Sequence, residues 1–116
     1  GIGDGFIPDV LDLHVIDGVI QTTSDESIEM AKRLSREEGI FCGISSGCNV
    51  AAVLKLARKY PELTTIVTMI NDNGQRYFTT ALCGEKVKVE IPDRDHPISD
   101  EERERLRKKN LIVIPS

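Results

Sequence analysis

The sequence predicts an α/β fold, and three observations carry the prediction. Thr64 to Ile70 is a continuous apolar, β-branched run, the pattern of a strand covered on both faces in a parallel sheet. Two helix-period segments precede it, one after Thr23 and one after Gly47, each with its own stop signal. A short β-branched stretch, Val19-Ile20-Gln21-Thr22, comes before both. Strand, helix and strand in alternation imply layered α/β packing with right-handed crossovers.

Taken in order, Gly1 to Gly5 holds three glycines and leads into Phe6-Ile7-Pro8. That much glycine is costly inside an element, so this is a loop. Residues 9 to 21 mix apolar and acidic positions; His14 lies among apolar neighbours and is read as structural, because no second ligand or carboxylate shares its motif. Thr23 and Glu26 have capping-box spacing, Ile28, Ala31 and Leu34 recur on one face, and Gly39 follows as the stop. Lys32, Arg33, Arg36, Glu37 and Glu38 then form a solvated face.

The centre of the chain is Gly43-Ile44-Ser45-Ser46-Gly47, followed at once by a helix whose apolar stripe is Val50, Val53, Leu54 and Ala57, with Pro61 at its end. Glycine allows a sharp turn and a close approach by another molecule. Two readings of the serines stand side by side. Ser45 or Ser46 caps the helix, or the hydroxyls and the unpaired N–H groups of the first turn receive a polar or anionic guest. After the run 64–70, Asn71-Asp72-Asn73-Gly74 makes a turn at the carboxyl end of the strand, where ligands collect in open α/β sheets. Arg76-Tyr77-Phe78-Thr79-Thr80 adds a charge, an aromatic pair and two hydroxyls there.

The tail differs in character. Val87 to Ile91 alternates apolar and charged residues, as a half-exposed strand does. Pro92 to Pro97 is a polar turn that includes His96. Ser99 and Glu102 make a second capping box for a helix reaching about Lys109, and Leu111 to Ile114 is a final strand. That strand pairs either with 87–91 or with the open edge of another chain.

At 116 residues the chain suits one small domain with a modest core. Its 40% hydrophobic and 29% charged content is that of a soluble globular protein. A net charge of -4 argues against non-specific nucleic-acid binding, which needs a basic surface. No apolar run has membrane-spanning length and no signal-peptide pattern is visible, so a cytoplasmic location is expected. Cys42, Cys48 and Cys83 are odd in number and show no C-x-x-C pairing. They read as reduced thiols, not as a disulfide framework or a metal site. The start at Gly1 instead of Met fits a fragment or a processed chain.

Three segments, Gly1 to Pro8, Glu38 to Gly47 and Gly74 to Thr80, occur in an order and wording that resemble the C-terminal part of a pyridoxal-phosphate-dependent cysteine synthase. This is the O-acetylserine sulfhydrylase family, which includes cystathionine β-synthase. The resemblance covers residues 1 to about 82. It implies a fold-type II domain, three-layer αβα with a mostly parallel sheet, and leaves 83–116 as a strand-helix-strand tail of unknown role. The implied activity is β-replacement of O-acetylserine with sulfide to give cysteine and acetate, with pyridoxal 5'-phosphate as cofactor. Ser45 is the implied cofactor-binding residue, hydrogen-bonded to the pyridine nitrogen, and Gly1, Ile2 and Gly3 form the implied active-site loop. A hydroxyl partner leaves the ring nitrogen largely unprotonated, a weaker electron sink that suits elimination and poorly suits transamination.

The Schiff-base lysine, the substrate-carboxylate clamp and the phosphate loop of the family have no match in this chain, so the chain alone is expected to be inactive. Asp4, Asn71 and Gln75 stand where the family usually has Ala, Pro and Glu. The implied partners are a second copy of the chain in a homodimer or other self-association, and serine acetyltransferase. Two alternatives remain open: a related β-synthase (cystathionine β-synthase or phosphoserine sulfhydrylase), and a non-catalytic interaction module.

Overall fold

In the computed structural model, the described residues are 6–77, 99–107 and 111–116. They form a 3-10 turn at Leu13–Val15, strand β1 at Gly18–Ile20, helix α1 at Ser24–Glu38, helix α2 at Ile44–Lys59 and a second 3-10 turn at Gly74–Tyr77. Helix α3 at Asp100–Arg107 and strand β2 at Ile112–Ile114 follow. Two compact units divide them: one takes residues of Gly1–Val19 and Glu90–Ile114, the other those of Ile20–Val89 with Pro115–Ser116. The boundary expected at residue 82 lies outside the described residues.

In the first unit, Asp12 caps the 3-10 turn by accepting from the His14 backbone N–H at 2.9 Å. His14 itself is exposed, which departs from its apolar sequence neighbourhood. β1 and β2 make a small two-stranded parallel sheet, entered by the Ile112 N–H donating to the Asp17 carbonyl at 3.2 Å. A Cβ on Gly18 would lie 2.6 Å from the Ile112 carbonyl oxygen, so the close approach of the strands requires glycine there. The final strand therefore finds β1; the alternative partner, 87–91, lies outside the described residues. α3 starts one residue after Ser99, as its capping spacing predicts, and ends with Arg105 and Arg107 in its last turn.

In the second unit, α1 is delimited by its local chemistry. Thr23 Oγ1 accepts from the Glu26 N–H while the Glu26 carboxylate accepts from the Thr23 N–H, a complete capping box. Gly39 ends the helix at φ 69°, a left-handed conformation that glycine adopts without a Cβ penalty. The charged face is solvated, with Arg33–Glu37 and Arg36–Glu29 ion pairs on it, contacts worth little at such exposure.

α2 packs on α1 through small residues. Gly47 stands against the backbone of Ser27 and Ala31, where a Cβ would come within 2.8 Å of the Ala31 nitrogen and 2.9 Å of its Cβ. The core is Ala31, Leu34 and Cys42, with Met30, Ile44 and Val50 against it. Of the four residues expected to form the α2 stripe, Val50 reaches this core and the rest are half-buried; the buried positions are Ser46, Gly47 and Ala51.

The run 64–70 departs from its expected role. Among the described residues it forms no strand, and Val67 and Met69 are 89% and 68% exposed. A fully apolar strand needs strand neighbours on both edges and cover on both faces, and among the described residues no strand pairs with this segment.

Candidate functional site

The segment after the exposed run returns to the start of α2 and is held there by hydrogen bonds. The Asn49 side-chain amide donates to the Met69 carbonyl at 2.9 Å. The Gly43 N–H donates to the Asp72 carbonyl at 3.2 Å, and the Gly74 N–H donates to the Phe41 carbonyl at 3.1 Å, so Cys42 and Asn73 face each other in an antiparallel bridge. The Phe41 ring lies over Gly74, where a Cβ would meet ring carbons at 2.6 and 2.7 Å. A side chain at position 74 would displace either the ring or the turn.

Between these anchors sit the two serines. The N-cap of α2 is Gly43, and no side chain caps the helix. Ser45 and Ser46 are thus inside the first turn, which overturns the capping reading: their hydroxyls face a neighbouring segment, not their own helix. Ser46, at 0% exposure, accepts from the Asn71 backbone N–H at 2.9 Å. Ser45 is half-buried and accepts from the Asn71 side-chain amide at 3.1 Å. A serine hydroxyl has one proton and two lone pairs. With one lone pair of Ser45 taken by Asn71, its O–H remains to donate to an acceptor in front of the helix.

Burial, with the Asp72 charge second, pushes the Cys42 thiol up from its ordinary value, so it stays protonated and inert. Cys48 Sγ lies 2.8 Å from Thr22 Oγ1. Lys55, whose place on α2 makes it the lysine to examine for covalent chemistry, donates to the Gln21 carbonyl at 2.8 Å and pairs with Glu26 at 2.9 Å. It acts as a clamp on the start of α1. Among the described residues no group of three His, Cys, Asp or Glu side chains is arranged to hold a metal ion, and no helix is long and apolar enough to cross a membrane.

Residues 1–72 match the family model described as pyridoxal-phosphate dependent enzyme. The chain belongs to this family. Among curated relatives, the cysteine synthase of Staphylococcus aureus (strain N315) is 40% identical over 82 residues, 71% of this chain and 26% of the relative. Cysteine synthase A of Salmonella typhi and that of Escherichia coli (strain K12) are each 51% identical over 83 residues, again 71% of this chain and 26% of theirs. The chain therefore spans about a quarter of the length of these relatives. The family fixes the cofactor as pyridoxal phosphate and the fold as that of fold-type II enzymes, of which this chain holds a part.

The residues present fit that cofactor at one point. The half-buried Ser45 hydroxyl, with one lone pair engaged by Asn71 and its O–H left to donate, suits an unprotonated pyridine nitrogen. Gly1, Ile2 and Gly3 lie outside the described residues, as do Phe78, Thr79 and Thr80; of Arg76 and Tyr77 only the backbone is described. Sequence reasoning missed Asn71. It stood out only as a departure from the family pattern, while the turn chemistry of Asn71-Asp72-Asn73-Gly74 explained its presence without any link to Ser45.

Proposed function

We propose that this chain is the ring-nitrogen segment of a cysteine synthase, from the C-terminal part of that enzyme, acting in β-replacement of O-acetylserine by sulfide. The observation that carries the proposal is the 51% identity to cysteine synthase A over 83 residues, a stretch that includes the α2 turn. Pyridoxal phosphate, when bound, supplies the electron sink that lets a substituent leave the β-carbon and a nucleophile add in its place. Ser45 would donate a hydrogen bond to the ring nitrogen and so disfavour its protonation. Ser46 and Asn49 hold the 69–74 segment against the helix start, and Phe41 over Gly74 closes its outer side.

No lysine of the chain stands in a segment that resembles the family's Schiff-base motif, and Lys55 is engaged by Glu26 and Gln21; the covalent hold on the cofactor is therefore assigned to a lysine outside these 116 residues, with the chain alone inactive. The partners proposed with this reading are O-acetylserine and sulfide as substrates, a second copy of the chain, and serine acetyltransferase. The location proposed is the cytoplasm, which suits the free thiols of Cys42 and Cys48.

The test is a chimera in which residues 1–82 replace the matching stretch of Escherichia coli cysteine synthase A. Cysteine formation from O-acetylserine and sulfide is expected, with loss on Ser45→Ala. A chimera that binds the cofactor yet uses phosphoserine or homocysteine, and not O-acetylserine with sulfide, would assign the segment to another β-synthase.

A further inference from the structure

We infer that Asn71 is a positioning residue: by donating to Ser45 Oγ, its side-chain amide polarises the Ser45 hydroxyl toward donation and so favours the unprotonated form of the cofactor's ring nitrogen. The inference rests on the reading of Ser45 given above and adds to it the device that sets the direction of the hydrogen bond. A serine alone is ambivalent, since it can donate to a bare pyridine nitrogen or accept from a protonated one. Accepting from Asn71 occupies one lone pair and polarises the O–H toward donation, which tips the balance. The backbone N–H of Asn71 is pinned to the fully buried Ser46 Oγ at 2.9 Å, and its side chain then reaches Ser45 Oγ at 3.1 Å.

That second bond is not needed to hold the segment, which the Asn49, Gly43 and Gly74 contacts already fix. What it changes is the polarity of the Ser45 hydroxyl. Among the described residues, the titratable side chains of the packed elements are engaged elsewhere. Asp72 acts on Cys42, Cys48 meets Thr22, and Glu26 of α1 pairs with Lys55 farther along α2.

The experiment follows the ring nitrogen itself. The cofactor-free chimera that carries residues 1–82 in Escherichia coli cysteine synthase A is titrated with pyridoxine 5'-phosphate carrying 15N in the ring, a probe with no aldehyde and hence no covalent chemistry. The 15N shift is then recorded against pH for wild type, Asn71→Ala, Asn71→Asp and Ser45→Ala. In wild type the protonation midpoint of the bound ring is expected below that of the free probe. Asn71→Asp replaces the donor by an acceptor with negative charge. The Ser45 hydroxyl then turns to the carboxylate, and the midpoint should rise by roughly one pH unit or more relative to wild type. Asn71→Ala should fall between them, with melting temperature close to wild type because the backbone bond to Ser46 survives.

Equal midpoints in wild type and Asn71→Asp, with Ser45→Ala shifted, would overturn the role of Asn71 and leave the Ser45 reading intact. A midpoint in the chimera indifferent to Ser45→Ala would overturn the Ser45 reading and this inference with it.

Discussion

Replacing Gly47 by alanine adds one methyl group where the two long helices meet, and its effect has opposite signs in the helix and in the fold. Within α2 alone alanine is favoured over glycine by about 1 kcal/mol. In the packed pair, the new Cβ would lie 2.8 Å from the Ala31 nitrogen and 2.9 Å from the Ala31 Cβ, and closer still to the Ser27 carbonyl oxygen, against ordinary contacts of 3.4–4 Å. Two of these three neighbours are backbone atoms, so no side chain can swing away and α1 must move off α2. Overpacking of this kind costs about 1–3 kcal/mol, and a backbone clash belongs at the upper end. The net loss expected is about 2 kcal/mol, which lowers the melting temperature by roughly 10 °C in a domain of this size.

Urea and thermal unfolding followed by far-ultraviolet circular dichroism measure it directly. Ala31→Gly in the Gly47→Ala background should not restore stability, because it relieves only the Cβ contact, leaves the Ser27 carbonyl and the backbone nitrogen of residue 31, and adds about 1 kcal/mol of glycine cost within α1. A Gly47→Ala chain as stable as wild type, or more so, would refute the close crossing and with it the way α2 is seated.

Two further outcomes are expected. Glu26 is held below its ordinary carboxylate value, first by the Thr23 backbone N–H and then by Lys55. Its contribution to stability is therefore full above about pH 4.3, the unfolded value, and is lost as pH falls through the lower folded value. Glu26→Gln should flatten that part of the stability–pH curve, and an unchanged slope would remove Glu26 from the account. Cys42, 1% exposed with its thiol pushed up by burial, should alkylate far more slowly with iodoacetamide than half-buried Cys48 in the native chain. Peptide mass spectrometry should show the two reacting alike in urea; equal native rates would mean that the 39–43 turn opens readily.

What was legible in the sequence was set by short-range chemistry. The Thr23–Glu26 box, the left-handed Gly39 and the break before Pro61 act within a few residues, so α1 and the end of α2 stand where their signals put them. The family was legible too, because its segments keep order and wording along the chain; two of the three, Gly1 to Pro8 and Glu38 to Gly47, lie within the matched residues 1–72. Tertiary structure decided the rest. Ser45 and Ser46 look like caps in isolation because a hydroxyl before a helix usually bonds its own backbone; here Gly43 takes the cap, and Asn71, distant in sequence, arrives to meet both. The apolar run 64–70 carries the composition of a covered strand, yet composition states only that cover is favourable, and the described chain leaves Val67 and Met69 bare. Small residues at Ser27, Ala31 and Gly47 carry little hydrophobic signal, but the absence of side-chain bulk is what lets α1 and α2 approach and fixes the helix start that presents Ser45. Which hydroxyl meets which amide depends on the segment that packs alongside, and a pattern of neighbours along the chain holds no record of that.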